Sequence, residues 1–441
     1  MDFQSSTLEI IASVLFGLAI VHTFSVSRFD RLASRYPDGS VGENLFHLLG
    51  EVEVVFGLWA AVFLVAMVSL SGADYAVGYL EGRVEGFEVM FTEPLFVFVI
   101  MTMAATRPIL ELCSSLLRRL AKLLPLSDST AFYAVALSVG SLLGSFITEP
   151  AAMTVIALVL RAHYYERGMS PRLMYATLGV LFVNVSIGGT LTNFAAPPVL
   201  MVAMPDRWDW GMLHMLGHFG WKAAVAVVVN TAVITTLFAR ELSSFDDKPA
   251  GTLEGADKPP CPWWLTALHV LFAAAVVVAN HHPVVFVGFF LFFLGVVAVT
   301  DEYQSALKLE QGLLVAFFLG GLVVLGTYQK WWLEPLLAQL GEGAMFLGAT
   351  GLTAITDNAA LTYLGYVAEI SDPALRYALV SGAVCGGGLT VIANAPNPAG
   401  FGILKRSFGE DGINPLGLLA AALAPTAVAM TCLWLLPSFG P

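Results

Sequence analysis

The sequence predicts an all-α polytopic membrane protein built from two inverted repeats. Each repeat carries a re-entrant helical hairpin and a discontinuous helix, giving about 10 full spans plus two hairpins in all. Three observations carry this. The 441 residues are 57% hydrophobic and 12% charged, with a mean hydropathy of +0.77, well above what a water-soluble domain of this size needs. Alternating spans place all but five of the 21 Lys and Arg residues, Lys248 among them, on one side of the membrane. Arg83, Arg207, Lys330 and Arg376 fall on the other side, and Lys222 lies inside a span. This vote puts both termini outside, and it holds only if residues 127–163 and 344–370 each enter the membrane and return on the same side.

The elements follow in order. Residues 1–44 form an extra N-terminal helix, with its apolar run at 7–26, and a cytoplasmic connection; no basic residue precedes the run and no small-residue cleavage site follows it, so it reads as a retained helix. The first repeat, 45–238, holds spans at 45–68 and 88–105, an amphipathic interfacial segment at 107–125, the hairpin 127–163, the broken helix 173–204 and a span at 212–238. A linker and connecting helix, 239–283, follow; the polar stretch 240–260 is the natural boundary and 262–280 the connecting span. The second repeat, 284–441, repeats the plan: spans at 284–300 and 312–328, an interfacial segment at 329–341, the hairpin 344–370, the broken helix 376–404 and a span at 416–436.

The internal repeat is visible in the residues. Ile147-Thr148-Glu149-Pro150-Ala151-Ala152-Met153-Thr154 parallels Ile355-Thr356-Asp357-Asn358-Ala359-Ala360-Leu361-Thr362, with five identities and Glu against Asp. Downstream, Ser170-Pro171-Arg172-Leu173-Met174-Tyr175-Ala176 parallels Asp372-Pro373-Ala374-Leu375-Arg376-Tyr377-Ala378. Gly188-Gly189-Thr190-Leu191-Thr192-Asn193 then parallels Gly387-Gly388-Leu389-Thr390 with Asn394-Ala395-Pro396-Asn397-Pro398. Unpaired backbone cannot face hydrocarbon, so four chain breaks at membrane depth imply a protein-lined or watered cavity. Discontinuous helices in inverted repeats place a transport site there.

Several function classes are excluded or weakened. A net charge of −12 argues against nucleic acid as a partner. No glycine-rich Lys-Ser/Thr loop offers direct coupling to ATP, and no nucleophile with a nearby base marks an enzyme. No cofactor is expected, only Na⁺ and H⁺ as transported or coupling ions. Cys113, Cys261, Cys385 and Cys432 lack metal-ligand spacing and read as packing residues.

On these motifs the chain resembles the ion transporter superfamily, which includes sodium/dicarboxylate symporters, arsenite permeases and the bacterial D-type sodium/proton antiporters. Thr353–Thr362, with its Thr-Asp-Asn core, and Gly387–Gly400 are most similar to the antiporter branch. The resemblance implies a scaffold region and a transport region holding both hairpins, a homodimer, an elevator-like displacement and a bacterial inner (plasma) membrane. Symporters of that superfamily carry Ser-Asn-Thr at the hairpin tips, where this chain has Thr148-Glu149-Pro150 and Thr356-Asp357-Asn358.

A carboxylate near the bilayer centre costs about 2.5–3.5 kcal/mol on insertion scales, so it pairs or titrates. Cation and proton compete for such a group. Asp357 is expected as the first carrier and Glu149 as the second, with Thr148, Thr356, Asn358, Thr192, Asn193, Asn394 and Asn397 as oxygen ligands. Na⁺ is placed at Asp357, Asn358, Asn394 and Thr356. Gly188, Gly189, Gly387 and Gly388, with Pro150 and Pro396, mark the backbone breaks whose carbonyls would join them. The competing reading of both carboxylates is helix capping, and of the Asn and Thr residues, bonding to helix carbonyls. Lys222 either pairs with a tip carboxylate or substrate anion, or reaches the interface or a neighbouring acid. Glu51, Glu53 and Glu93 read as interfacial or scaffold residues, and His214 with His218, one helical turn apart, as an interfacial pair, with metal binding or pH sensing as the competing reading. The function expected is exchange of a monovalent cation for H⁺ across the lipid bilayer. The alternatives are sodium-coupled symport of a small anion and metalloid efflux.

Overall fold

The computed structural model describes residues 3–23, 25–84, 91–203, 207–246, 258–409 and 412–440. The start of the span expected at 88–105, residue 204 of the first broken helix, Lys248 with most of the polar linker, and the side chain of Glu53 lie outside the described residues. Among the described residues all regular structure is helical, with no strand.

Six helices are long and apolar enough to cross a membrane: Val54–Ser71, Asp128–Ile147, Pro171–Leu191, Met212–Leu237, Gly312–Leu337 and Pro415–Leu435. Thr92–Ala104 and Arg107–Ala121, bent by 67°, make a seventh if counted as one. The expected count was higher because Thr7–Thr23, Trp263–Val278 and Pro283–Val299 are apolar but shorter, and because the run 376–404 divides into Pro373–Gly386 and Asn397–Lys405; one of the six, Asp128–Ile147, is an arm of the first expected hairpin, and the segment expected as interfacial at 329–341 continues the span before it as far as Leu337.

The chain divides into two compact units. The first comprises residues 1–98, 309–341 and 363–376. Its centre is the crossing of Val52–Ser71 with Leu309–Gly326, where a Cβ on Gly321 would stand 2.3 Å from the backbone nitrogen of Gly57. Phe16, Phe56 and Phe318 pack edge to face around it, and Tyr79 donates to the Val324 carbonyl at 2.6 Å. Glu93, read as interfacial or scaffold, is fully buried.

The second unit comprises residues 99–308, 342–362 and 377–441. Its first hairpin runs out along Asp128–Ile147 and returns along Glu149–His163, with Gly140 against Ile156 and Gly144 against Ala152. The outgoing arm contains a π-helical turn, Ala136–Gly140. The Leu137 carbonyl within it accepts from the Ser141 hydroxyl at 2.9 Å and from Asn184 Nδ2 at 3.0 Å. The return helix begins as its sequence dictates, with Pro150 in the first turn, where a missing N–H costs nothing. The helix after it, Pro171–Gly188, is capped by Ser170, whose hydroxyl accepts from the Leu173 N–H and donates to Glu241.

Both predicted broken helices are broken. Pro171–Gly188 gives way to a short 3₁₀ turn, Gly189–Leu191, and irregular chain before Pro197–Ala203. Pro373–Gly386 gives way to a turn at 387–390 and a 3₁₀ turn, Val391–Ala393, before Asn397–Lys405, with Pro396 as the residue preceding that last helix. The two helices close on one another at their broken ends: Ser186 Oγ donates to the Val384 carbonyl at 2.8 Å, and a Cβ on Gly388 would stand 2.5 Å from Val183 Cα.

Candidate functional site

The second unit gathers the first tip, the second tip and both breaks. At the first tip the chain reverses on Thr148, whose φ of 75° and ψ of 151° are sterically disfavoured for a β-branched residue. Strain of this kind costs of order 1–3 kcal/mol and persists only where surrounding structure imposes it. Here it places Glu149 at the N-terminus of the return helix, where backbone N–H groups present a partial positive charge.

Glu149 is wholly buried. Its Oε2 accepts from Asn394 Nδ2 at 3.0 Å, and its Oε1 has no hydrogen-bond partner among the described residues. The side chain does not cap its own helix. Asp357 at the second tip does: its Oδ1 accepts from the N–H groups of Ala359 at 2.7 Å and Ala360 at 3.3 Å, starting the helix Asn358–Val367. Capping was the stronger competing reading for Glu149, and geometry reverses the two.

The expected oxygen ligands divide into two groups. Thr148 Oγ1, Asn358 Oδ1, Asn394 Oδ1 and Asn397 Oδ1 are buried and, among the described residues, have no hydrogen-bond partner. Burying a polar atom without a partner costs a few kcal/mol, so each of these oxygens is a candidate ion ligand. The others are engaged or peripheral. Thr356 donates to the Leu352 carbonyl of the helix before it and Thr192 donates to the Ser145 carbonyl at 2.7 Å; Asn193 is half-buried, with no side-chain hydrogen bond among the described residues.

The glycines at the breaks stand where other atoms approach closely. None of Gly188, Gly189, Gly387 and Gly388 has a positive φ. A Cβ would stand 2.6 Å from the Ser141 carbonyl oxygen at Gly188, 2.3 Å from Glu149 Oε1 at Gly189, and 2.1 Å from Ser186 Oγ at Gly387. Nor are all the freed carbonyls unengaged. Gly188 O accepts from Ser145 Oγ at 2.7 Å and Gly387 O from Asn397 Nδ2 at 2.7 Å.

A model of the protein family described as "Putative Na+/H+ antiporter" matches residues 7–436. The chain belongs to that family. No curated protein matches it. With its apolar helices, this member of the antiporter family is a multi-pass membrane protein.

Sequence reasoning missed one organising residue of this antiporter-family site. Ser145, fully buried, donates to Gly188 O and accepts from the Leu191 N–H at 2.9 Å, closing the first break with a single hydroxyl. The signal lay in the repeat itself: extended two residues upstream, the alignment sets Ser145 against Thr353, which packs against Gly386 at the second break. Lys222 is also buried, and its ammonium donates to Tyr377 Oη at 2.7 Å and Ser438 Oγ at 3.0 Å. No carboxylate accepts from it among the described residues. His214 and His218 stack face to face at 4.0 Å, and among the described residues no group of three metal-binding side chains includes them.

Proposed function

We propose that the protein is a secondary transporter that exchanges a monovalent cation, Na⁺, for H⁺ by alternating access. Family membership supports the exchange reaction. The observation that carries the site is the fully buried Glu149, bonded to Asn394, whose Oε1 is unpartnered among the described residues, as are the buried side-chain oxygens of Thr148, Asn358, Asn394 and Asn397. Hard, mostly neutral oxygens around one or two carboxylates suit an alkali cation better than a divalent one, which demands a denser anionic cage. Removing the cation leaves two acidic side chains close together in a dry setting, and a proton is the other species that relieves them. One site thus serves cation and proton in turn.

On this reading the hairpins are re-entrant, the repeats are inverted and both termini are outside. The chain then falls in the D-type branch of the ion transporter superfamily and moves its site as an elevator in a homodimer of a bacterial inner membrane. Anion symport had its support in Lys222 as an anion receptor. That ammonium is engaged by two hydroxyls, which weakens it.

The test uses purified protein in proteoliposomes with an imposed pH gradient. Added Na⁺ collapses the gradient in wild type, and Glu149→Gln or Asp357→Asn abolishes the response; asparagine keeps the helix cap that Asp357 provides, so loss is not a folding effect. Undiminished exchange in both variants, or Na⁺ movement only with a co-supplied anion, overturns the proposal.

A further inference from the structure

Pro171–Gly188 and Pro415–Leu435 meet closely at Gly179, where a Cβ would stand 2.6 Å from the Ala421 carbonyl oxygen. Next to that contact lies a cavity of about 150 Å³. It is lined by Ala176 and Val180 of the first helix, Ala421 and Ala424 of the second, and Val233 and Leu237 of a third, Met212–Leu237. Ala424, Val233 and Leu237 are themselves exposed, so the cavity opens on the surface. Asn230 in its wall is engaged, donating to Asn184 Oδ1 at 3.0 Å and to the Pro425 carbonyl at 3.3 Å. An apolar cavity of this size stays dry and takes hydrocarbon.

Two basic residues stand at one end of it. Arg172 precedes Ala176 by one turn on the same helix face, and Arg240 lies two residues beyond Phe238, which also lines the cavity. Ser170 joins the two chain segments: its N–H and its hydroxyl donate to the two carboxylate oxygens of Glu241 at 2.7 and 2.8 Å, so each arginine is within two residues of that link. Both arginines are exposed, and among the described residues neither guanidinium has an ion-pair or hydrogen-bond partner. One apolar span starts at Pro171 and another ends at Leu237, which sets both guanidinium groups at headgroup depth.

We propose that this groove is a binding site for one anionic phospholipid, with an acyl chain in the cavity and the phosphate on Arg172 and Arg240. The site holds whichever ion the protein carries, since it requires only that the chain spans a membrane. Charge complementarity selects the occupant. Plain hydrocarbon has no use for two free guanidinium groups, which match phosphate oxygens as bidentate donors, and a free phosphate has no use for the cavity. A zwitterionic headgroup brings its own cation beside the phosphate and gains less. Asn184, the partner of Asn230 in the cavity wall, also donates to the Leu137 carbonyl in the π-helical turn of the first hairpin. A chain seated in the cavity therefore completes the packing around the link between hairpin and broken helix, and occupancy stabilises this unit.

The test is native mass spectrometry of the purified protein in detergent, titrated with dioleoylphosphatidylglycerol, dioleoylphosphatidylcholine or the tailless sn-glycerol 3-phosphate. Wild type takes one phosphatidylglycerol with an apparent Kd about tenfold or more below that for phosphatidylcholine, each arginine beside an anionic headgroup contributing about fivefold. Glycerol phosphate does not bind in that range. The double variant Arg172→Gln, Arg240→Gln changes only exposed side chains and brings the two lipids to within about twofold of each other. Ala424→Phe fills the cavity and leaves both arginines, so it weakens both lipids by about tenfold while the melting temperature without lipid holds or rises. Should the arginine variant fail to fold, Ala424→Phe decides alone. Equal affinity of wild type for the two lipids overturns the proposal, as does glycerol phosphate binding as well as the intact lipid, which marks a site for anions only. A folded arginine variant that keeps the preference, or a folded Ala424→Phe that keeps both affinities, overturns it equally.

Discussion

Gly189→Ala isolates the contact between the first break and the first tip. Gly189 has φ −76° and ψ −7°, ordinary right-handed values that alanine adopts without strain and with a small gain over glycine. Space alone forbids it: the new methyl would stand 2.3 Å from Glu149 Oε1 and 2.5 Å from its Cγ, where ordinary contact begins at 3.4 Å. The carboxylate must retreat by about 1 Å, which loses the bond to Asn394 and disorders the cation's oxygen set. Overpacking of this size costs about 1–3 kcal/mol of stability. A misplacement of about 1 Å at a reacting group costs on the order of a hundredfold in rate. Initial rates of Na⁺-driven dissipation of a pH gradient, measured across Na⁺ concentrations beside a melting curve, separate the two effects. The variant is expected to fold and to lose exchange. The Glu149→Asp background withdraws the carboxylate by one methylene, so Gly189→Ala should cost less there than in wild type. Wild-type exchange in Gly189→Ala, or equal cost in both backgrounds, would refute the contact.

Two further outcomes follow from hydrogen bonding. Ser145→Ala leaves Gly188 O and the Leu191 N–H buried without their partner, which should lower stability by about 1–3 kcal/mol in a detergent melt and weaken Na⁺ affinity more than turnover, since the break it closes carries Gly189 to Glu149. Lys222→Met removes a buried charge held by two hydroxyls and the Tyr377 ring, with no carboxylate accepting from it among the described residues, so Na⁺/H⁺ exchange should stay within about twofold and the melting temperature should hold or rise; a collapse of exchange would restore Lys222 as a partner of the site.

The four breaks were legible because breaking a helix takes particular residues, and Thr-Glu-Pro, Thr-Asp-Asn and the paired glycines recur at corresponding places in the two halves. Which buried oxygens face one another was not legible. Sequence gives Asn193 and Asn394 the same standing after their glycine pairs, yet Asn394 lies on Glu149 while Asn193 is half-buried and unbonded among the described residues. The reason is register: Asn193 lies four residues after Gly189, beyond a 3₁₀ turn that begins at that glycine, whereas Asn394 lies six residues after Gly388 and directly follows the 3₁₀ turn Val391–Ala393. Lys222 likewise looked like a charge partner because sequence shows its depth but not Ser438, which reaches it from beyond the last helix.

The inequality of the tips comes down to one methylene. Glu149 and Asp357 occupy the same position in the repeat, each at the start of a returning helix. Aspartate is short enough to fold back on the N–H groups two and three residues ahead, and Asp357 spends an oxygen on that cap. Glutamate at the first residue of a helix reaches past its own N-terminus. Proline at the next position removes an N–H that would have drawn it back. The longer carboxylate therefore crosses to the broken helix of the other repeat and binds Asn394 there. Under the proposed exchange, a proton or cation on Glu149 acts on the first tip and the second break at once, whereas one on Asp357 also contends with a helix end.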